Sequence, residues 1–293
     1  MVTDRFLNFL KYEKRYSAHT LTAYRHEVSR YLAHLETYEL SVTEVTHRQA
    51  RTYLSGLFEQ GHLPTSINRS LSALRTYYKF LMREQVVLHN PFALTRALKA
   101  PKKLPVTVDE NKLSNLLDQR DVFPETFEGL RDKVVLELLF GTGIRRSELL
   151  HIHDSHIDFY NANVLVFGKR NKERLVPLNQ TLVHLLQHYI AVKQEQAFDN
   201  NSPNLIVTKE GKPAYPELIY NIVTRYLSNI SLQAKKSPHV LRHTFATALL
   251  NKGADLNAIK ELLGHAGLAA TQVYTHNSVE RLKSIYKQAH PKA

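Results

Sequence analysis

A mostly α-helical chain in two domains, the second carrying a small antiparallel sheet, is the fold this sequence predicts. Three observations predict it. Apolar residues recur at helical period through residues 1–88. That periodicity fades over residues 89–105, where prolines and lysines concentrate. Helical periods then resume over residues 106–293, interrupted by three short β-type runs between His156 and Leu178. Apolar period is the primary signal in each case.

In the first domain Phe6, Phe9 and Leu10 form an opening apolar stripe. Ser17 is placed to cap a longer helix, with Leu21, Tyr24, Val28, Tyr31, Leu32 and Leu35 on one face and Arg25, His26, Ser29 and Arg30 facing outward. A third helix carries Val45, Ala50, Tyr53, Leu54, Leu57 and Phe58 and ends near Gly61. A fourth, opening at Thr65 or Ser66, buries Ile67, Leu71, Leu74, Tyr78 and Leu81 and presents Asn68, Arg69, Arg75 and Lys79 to solvent. Periodicity alone gives a small helical bundle with a basic face.

The stretch with Pro91, Lys99, Pro101, Lys102, Lys103 and Pro105 is the expected linker. Its lysines serve either solvation or phosphate contact. Beyond it come a helix near Val108–Leu117 and a more apolar one from Leu130 to Phe140, broken at Gly141-Thr-Gly143. A helix resumes over Arg145–Leu150. Strands are expected around His156–Phe159, Val164–Gly168 and Arg174–Leu178, with the turn Lys169–Lys172 joining the last two. Helices at Thr181–Lys193 and Glu217–Ile230 follow, with a strand at Leu205–Thr208 between them.

Composition narrows the partners. Lys and Arg number 39 against 27 Asp and Glu, a net charge of +12 over 293 residues, with 16 His able to add more. Because the charge is spread through periodic segments, it predicts a polyanion-gripping surface rather than a charged tail. The absence of cysteine excludes disulfides and thiolate catalysis. Charges interrupt every apolar run, so neither signal peptide nor membrane span is expected, and the chain reads as cytoplasmic.

The chemistry concentrates in Ser237-Pro-His-Val-Leu-Arg-His-Thr-Phe and the segment Leu262-Leu-Gly-His through Tyr274. Ser237 and Pro238 read as N-cap and first helical residue. His239, Arg242 and His243 then share one face at i, i+3 and i+4, while Leu241, Phe245, Ala248 and Leu249 face a core. Gly253 and Gly264 close two successive helices, and His265 and Tyr274 follow. Imidazoles, a guanidinium and a phenol together suit an enzyme that grips a phosphate and attacks it with tyrosine.

Together with Thr142-Gly-Ile-Arg-Arg-Ser-Glu148 and Val166-Phe-Gly-Lys-Arg-Asn-Lys-Glu-Arg-Leu-Val-Pro-Leu178, these blocks resemble the tyrosine recombinase (phage integrase) signature, in the family's order. The resemblance covers nearly the whole chain and is closest to the Xer group of chromosome-resolving recombinases. Thr65-Ser-Ile-Asn-Arg-Ser-Leu-Ser-Ala-Leu-Arg similarly resembles the family's SAM-like core-binding domain, which implies a DNA clamp in residues 1–88 and a catalytic domain in residues 106–293.

The resemblance implies six catalytic residues. Arg145 and Arg242 would hold the scissile phosphate, and guanidinium forks bind phosphate bidentately while staying charged. Tyr274 would be the nucleophile, its phenol (pKa about 10 in water) activated by Arg and His. His265 would donate to a non-bridging oxygen and His239 would act as base or second donor. Lys169 would protonate the leaving 5′-oxygen; Lys172 is the alternative acid, since the family commonly has Gly where this chain has Arg170. The mechanism implied is transesterification through a 3′-phosphotyrosyl link, which requires neither ATP nor a metal or other cofactor. The partners implied are duplex DNA with paired half-sites and sister subunits forming a tetramer on two sites. A second Xer-type recombinase and a septal DNA translocase extend that list.

Each residue also has a plainer reading. Arg145 with Glu148 at i+3 makes an ordinary helix ion pair, a lysine in a polar turn is usually surface, and any one of 15 tyrosines is usually structural. Alternatives for the whole chain are a compact integrase, a type IB topoisomerase, a non-catalytic DNA-binding regulator, and a metalloenzyme using His239 and His243. The last lacks the Glu of an HExxH helix. The near-immediate start at the first helices leaves no room for an arm-binding domain, which favours the Xer type. The tail from Asn277 to Pro291, with Val279, Leu282, Ile285, Tyr286 and Ala289 as its apolar stripe, is expected to pack on a neighbouring subunit rather than on its own domain.

Overall fold

The structure is a computed structural model and describes residues 2–101, 106–119, 121–168, 172–198, 202–230, 236–264 and 286. The chain falls into two compact units, Met1–Lys103 and Leu104–Ala293.

The first unit is helical. Helix α1 (Val2–Asn8) runs on through a π-helical turn, Phe9–Glu13, and is followed by α2 (Ala18–Thr37), α3 (His47–Glu59) and α4 (Pro64–Arg83). Ser17 caps α2 by accepting from the Thr20 amide, and Thr46 with Gln49 forms a capping box on α3. Helix α4 opens one residue earlier than expected, because Pro64 is preorganised for a first helical position. The core is aromatic: Tyr31 and Tyr78 are fully buried and share a hydroxyl–hydroxyl bond of 2.8 Å. Phe58, expected on the apolar stripe, is 60% exposed.

The expected linker starts later than its composition suggests. Phe92 is fully buried in this core, ringed by Tyr31 and Tyr78. Two residues expected on the solvent face of α4 hold the segment. Arg75 donates to the carbonyls of Phe92 (3.0 Å) and Thr95, while Asn68 exchanges two bonds with the Leu98 backbone, at 2.9 and 2.8 Å. Residues 90–98 are thus a strap on α4, satisfying backbone groups that an apolar neighbour would strand.

In the second unit α5 (Glu110–Asp118) precedes α6 (Phe127–Thr142), α7 (Arg146–Leu149), a short sheet, α8 (Gln180–Glu195), α9 (Pro216–Ser228), α10 (Pro238–Asn251) and α11 (Leu256–Leu263). Helix α6 is buried on every side from Val134 to Thr142, the pattern of a central helix. It packs against α8, α9 and α10. The break expected at Gly141-Thr-Gly143 comes at its last residue, where Gly143 takes the left-handed conformation (φ 62°). Strands β1 (Ile157–Asp158), β2 (Asn163–Phe167) and β3 (Glu173–Pro177) form an antiparallel sheet in sequence order. Val164 faces Val176, and Val166 faces Arg174. Leu205–Thr208 contributes one isolated bridge, Val207 to Pro213, beside that of His153 to Asn204, and not the expected strand.

A separate apolar cluster of Phe245, Leu249, Ile259, Leu262 and Leu263 joins α10 to α11 and buries Tyr286. The Tyr286 hydroxyl donates to the Gly141 carbonyl at 2.9 Å. That carbonyl lies in the last turn of α6, where helical acceptors need partners from outside the helix. At Tyr286, then, the tail packs on its own chain, contrary to the expected packing on a neighbour; the rest of the stripe lies outside the described residues. Among the described residues no helix is long and apolar enough to cross a membrane.

Candidate active site

The site is built where α6 ends. Gly143 holds φ 62° and ψ 17°, a left-handed cap natural to glycine. A Cβ there would stand 2.3 Å from the Phe245 ring, so any side chain clashes as well as strains. This close approach brings the end of α6 against α10. The Gly143 carbonyl accepts from Arg242 Nη1 at 2.7 Å, and Arg242 Nη2 donates to the Leu263 carbonyl, also at 2.7 Å. One guanidinium therefore ties the ends of α6 and α11 together. Arg242 is 8% exposed, more buried than a residue on an open polar face.

Arg145 follows as the N-cap of α7. Its backbone amide donates to Glu148 Oε2 and its Nη1 to Glu148 Oε1, both at 2.7 Å. Its Nη2 reaches the Gly264 carbonyl at 3.1 Å. The plain ion-pair reading of Arg145 is therefore correct as geometry, but it is half of a larger arrangement. From β3, Arg174 grips the same carboxylate with both terminal nitrogens, at 3.0 and 2.8 Å, and donates Nε to the Leu262 carbonyl. Glu148 and Arg174 are 4% and 5% exposed. Sequence reasoning offers Glu148 only as a partner of Arg145 and gives Arg174 no role. Strand alternation carries the signal, since it places Arg174 on the same inward face as Val176, and a buried guanidinium requires a partner.

Electrostatics follow from this count. Burial would raise the Glu148 carboxyl, but hydrogen bonds from Arg174 and Arg145 outweigh it and hold the group below the ordinary range. Arg242 is lowered to about 10, first by burial and then by the charges of Arg145 and Arg174, with Glu148 opposing. It remains charged at neutral pH. Three guanidiniums thus gather around one carboxylate, an arrangement suited to an added anion.

His239 stands in the first turn of α10, exposed, as is His243. Burial of part of its ring, then the charges of Arg146, His243, Arg242 and Arg145, lower its pKa. The imidazole is therefore biased toward its neutral form, able to accept a proton. Arg145, Arg242 and His239 are thereby brought into one electrostatic neighbourhood. Lys169, His265 and Tyr274 lie outside the described residues. The residues that precede Lys169 and His265 do not: a Cβ built on Gly168 falls 3.8 Å from Glu148 Oε1, and one on Gly264 falls 3.1 Å from Arg174 Nη1. Lys172, the alternative acid, is exposed, and its carbonyl accepts from the Gly168 amide at 2.7 Å across the hairpin. Among the described residues no cluster of three His, Cys, Asp or Glu has the arrangement of a metal site.

Comparison with known proteins identifies the family. Residues 107–281 match the phage integrase family, and residues 3–85 match the phage integrase N-terminal SAM-like domain. Tyrosine recombinase XerC of Anoxybacillus flavithermus is 38% identical over 98% of this chain and 97% of that protein. Tyrosine recombinase XerD of Staphylococcus haemolyticus is 34% identical over 100% of this chain and 99% of that protein. Among solved structures, the XerH site-specific recombinase bound to palindromic difH substrate, in a post-cleavage complex, aligns with a TM-score of 0.75. That alignment covers 96% of this chain and 83% of that one at 21% identity, a likeness of fold. On the family match and the full-length relatives, this chain belongs to the phage integrase family and is a tyrosine-type site-specific DNA recombinase.

Proposed function

We propose that the chain resolves chromosome and plasmid dimers as an Xer-type recombinase, with Arg145, Lys169, His239, Arg242, His265 and Tyr274 as its catalytic set. The gathering of Arg145, Arg174 and Arg242 around Glu148 is what most supports this reading. A dianionic transition state at phosphorus needs fixed positive charge that does not reorganise as the reaction proceeds. Glu148 supplies the fixing: it holds Arg145 and is itself gripped by Arg174. Residues 1–88 serve as the DNA clamp, since the SAM-like match and the exposed basic positions Arg25, Arg69 and Lys79 fit a polyanion.

In the step proposed, the Tyr274 hydroxyl attacks phosphorus and gives its proton to His239. The bond from phosphorus to the 5′-oxygen breaks, and Lys169 protonates that oxygen. Arg145, Arg242 and His265 hold the non-bridging oxygens throughout. The 3′-phosphotyrosyl ester keeps the energy of the original bond, so an incoming 5′-hydroxyl reverses the step without a nucleotide cofactor. Two half-sites on each of two duplexes call for four subunits. Full-length likeness to proteins named XerC and to one named XerD is compatible with action alone or beside a second recombinase.

The test is to trap the protein covalently on genomic DNA and map the junctions. One short imperfect palindrome near the replication terminus is the expected result. Recovery of mobile-element ends instead would contradict dimer resolution and assign the chain to element integration.

A further inference from the structure

Arg174 of β3 is a buried guanidinium outside the proposed catalytic set. At 5% exposure it is not placed to meet DNA. Its three nitrogens are divided between two distant pieces of chain. Nη1 and Nη2 grip Glu148 at 3.0 and 2.8 Å, and Nε donates to the Leu262 carbonyl at 3.0 Å.

Three of the proposed catalytic residues are reached through its immediate contacts. Arg145 shares the Glu148 carboxylate with it, donating Nη1 to Glu148 Oε1 at 2.7 Å. Gly264, which precedes His265, lies so close that a Cβ on it would stand 3.1 Å from Arg174 Nη1 and 3.3 Å from its Cζ. Gly168, which precedes Lys169, would bring a Cβ to 4.0 Å from the same Nη1. Arg174 is also paired across the sheet with Val166 on β2, the strand that leads to Gly168. Helix α7, the β2–β3 hairpin and the end of α11 therefore meet at one side chain.

A planar fork suits such a junction. Its donors are fixed relative to one another, so holding one partner orients the next, and lysine has the charge without the fork. The groups it joins act on different oxygens of one phosphate, so their mutual spacing matters. A misplacement of about 1 Å costs on the order of a hundredfold in rate.

We propose that Arg174 is a positioning residue for strand cleavage: through Glu148, the Leu262 carbonyl and the β2–β3 pairing it sets Arg145, His265 and Lys169 relative to one another on a single phosphate. This rests on the six-residue catalytic set given above and adds a buried residue to it.

Arg174→Lys keeps the charge and loses the fork. Parent and variant are compared by urea unfolding, by duplex binding across a salt series, and by single-turnover cleavage of nicked suicide duplexes. The scissile link is either ordinary or a 5′-bridging phosphorothiolate. The variant should bind duplex with the parent's affinity and salt slope, while cleavage of ordinary DNA slows by about a hundredfold. On the phosphorothiolate, where Lys169 has no proton to deliver, about tenfold of that defect should be recovered. The rest should persist, because Arg145 and His265 are still displaced. Should the lysine variant fail to fold, the double variant Glu148→Gln, Arg174→Met removes both charges of the buried pair together. It is expected to fold and to cleave as slowly.

Cleavage by a folded variant within about threefold of the parent overturns the proposal. A defect no larger than the fraction unfolded assigns Arg174 to stability alone and overturns it equally. A salt slope smaller by about one makes Arg174 a phosphate contact instead. An equal defect on the two duplexes detaches Arg174 from Lys169 and overturns the three-way role. Absence of a Tyr274 adduct in the parent overturns the catalytic set itself, and the proposal with it, before any variant is read.

Discussion

Arg242 donates to the carbonyl of Gly143 at 2.7 Å, so a residue of α10 is positioned by the left-handed cap of α6, 99 residues earlier in the chain. The cap and the guanidinium are one device. Gly143 must be glycine twice over, for its positive φ and for its approach to Phe245. Gly143→Ala should therefore destabilise the protein by more than about 1 kcal/mol, the cost of the backbone strain alone. Recombination should fall further than stability does. Urea unfolding and single-turnover cleavage measure the two, and an alanine variant with full activity would detach Arg242 from this cap.

Removing the shared carboxylate is a sharper perturbation. Glu148→Gln leaves Arg145, Arg174 and Arg242 without their opposing charge, which predicts a loss of roughly 3–5 kcal/mol. Because an anion can take the place of that charge, sulfate should raise the melting temperature of the variant more than that of the parent. Equal responses to sulfate would argue against an anion site here.

Glu148 also sets an acid limit. Its folded-state pKa lies below the unfolded value of 4.5, so its stabilising contribution is complete above that value. The contribution is lost as pH falls through the lower folded value. Acid titration of stability should show this component in the parent protein and lack it in Glu148→Gln.

Much of this was legible in the sequence, for identifiable reasons. Pro238 at the first helical position and the stripe Leu241, Phe245, Leu249 define α10 because a fixed φ and helical period act locally, although the Ser237 side chain makes no cap bond. The antiparallel hairpin was legible for the same reason. The pairing of Glu148 with Arg174 was not, since the two are 26 residues apart and only the fold joins them. The strap over α4 was hidden differently. Arg75 and Asn68 bond to backbone groups, which are the same in every residue, so no side-chain pattern announces them. Burial of Phe92 had no period to reveal it, because the segment is irregular.

The tail offers a test of its own. Tyr286→Phe removes the bond to the Gly141 carbonyl. A loss of about 1–2 kcal/mol is expected in a monomeric sample. No change there, with a loss of cooperative DNA binding, would return Tyr286 to a contact between subunits.

For the leaving group, Lys169→Ala should slow cleavage of ordinary DNA strongly. It should leave cleavage of a 5′-bridging phosphorothiolate nearly intact, because a sulfur leaving group needs no proton. Equal defects on both substrates would transfer the acid role to Lys172.

The central claim is that Tyr274 attacks a phosphate held by Arg145 and Arg242. Incubation of the protein with a nicked suicide duplex, followed by protease digestion and mass mapping of the DNA-linked peptide, tests it most directly. The account predicts an adduct on Tyr274, formed without added metal and abolished by Tyr274→Phe, while duplex binding persists because phosphate charge dominates that contact. An adduct that maps to another tyrosine, or that survives Tyr274→Phe, would contradict it.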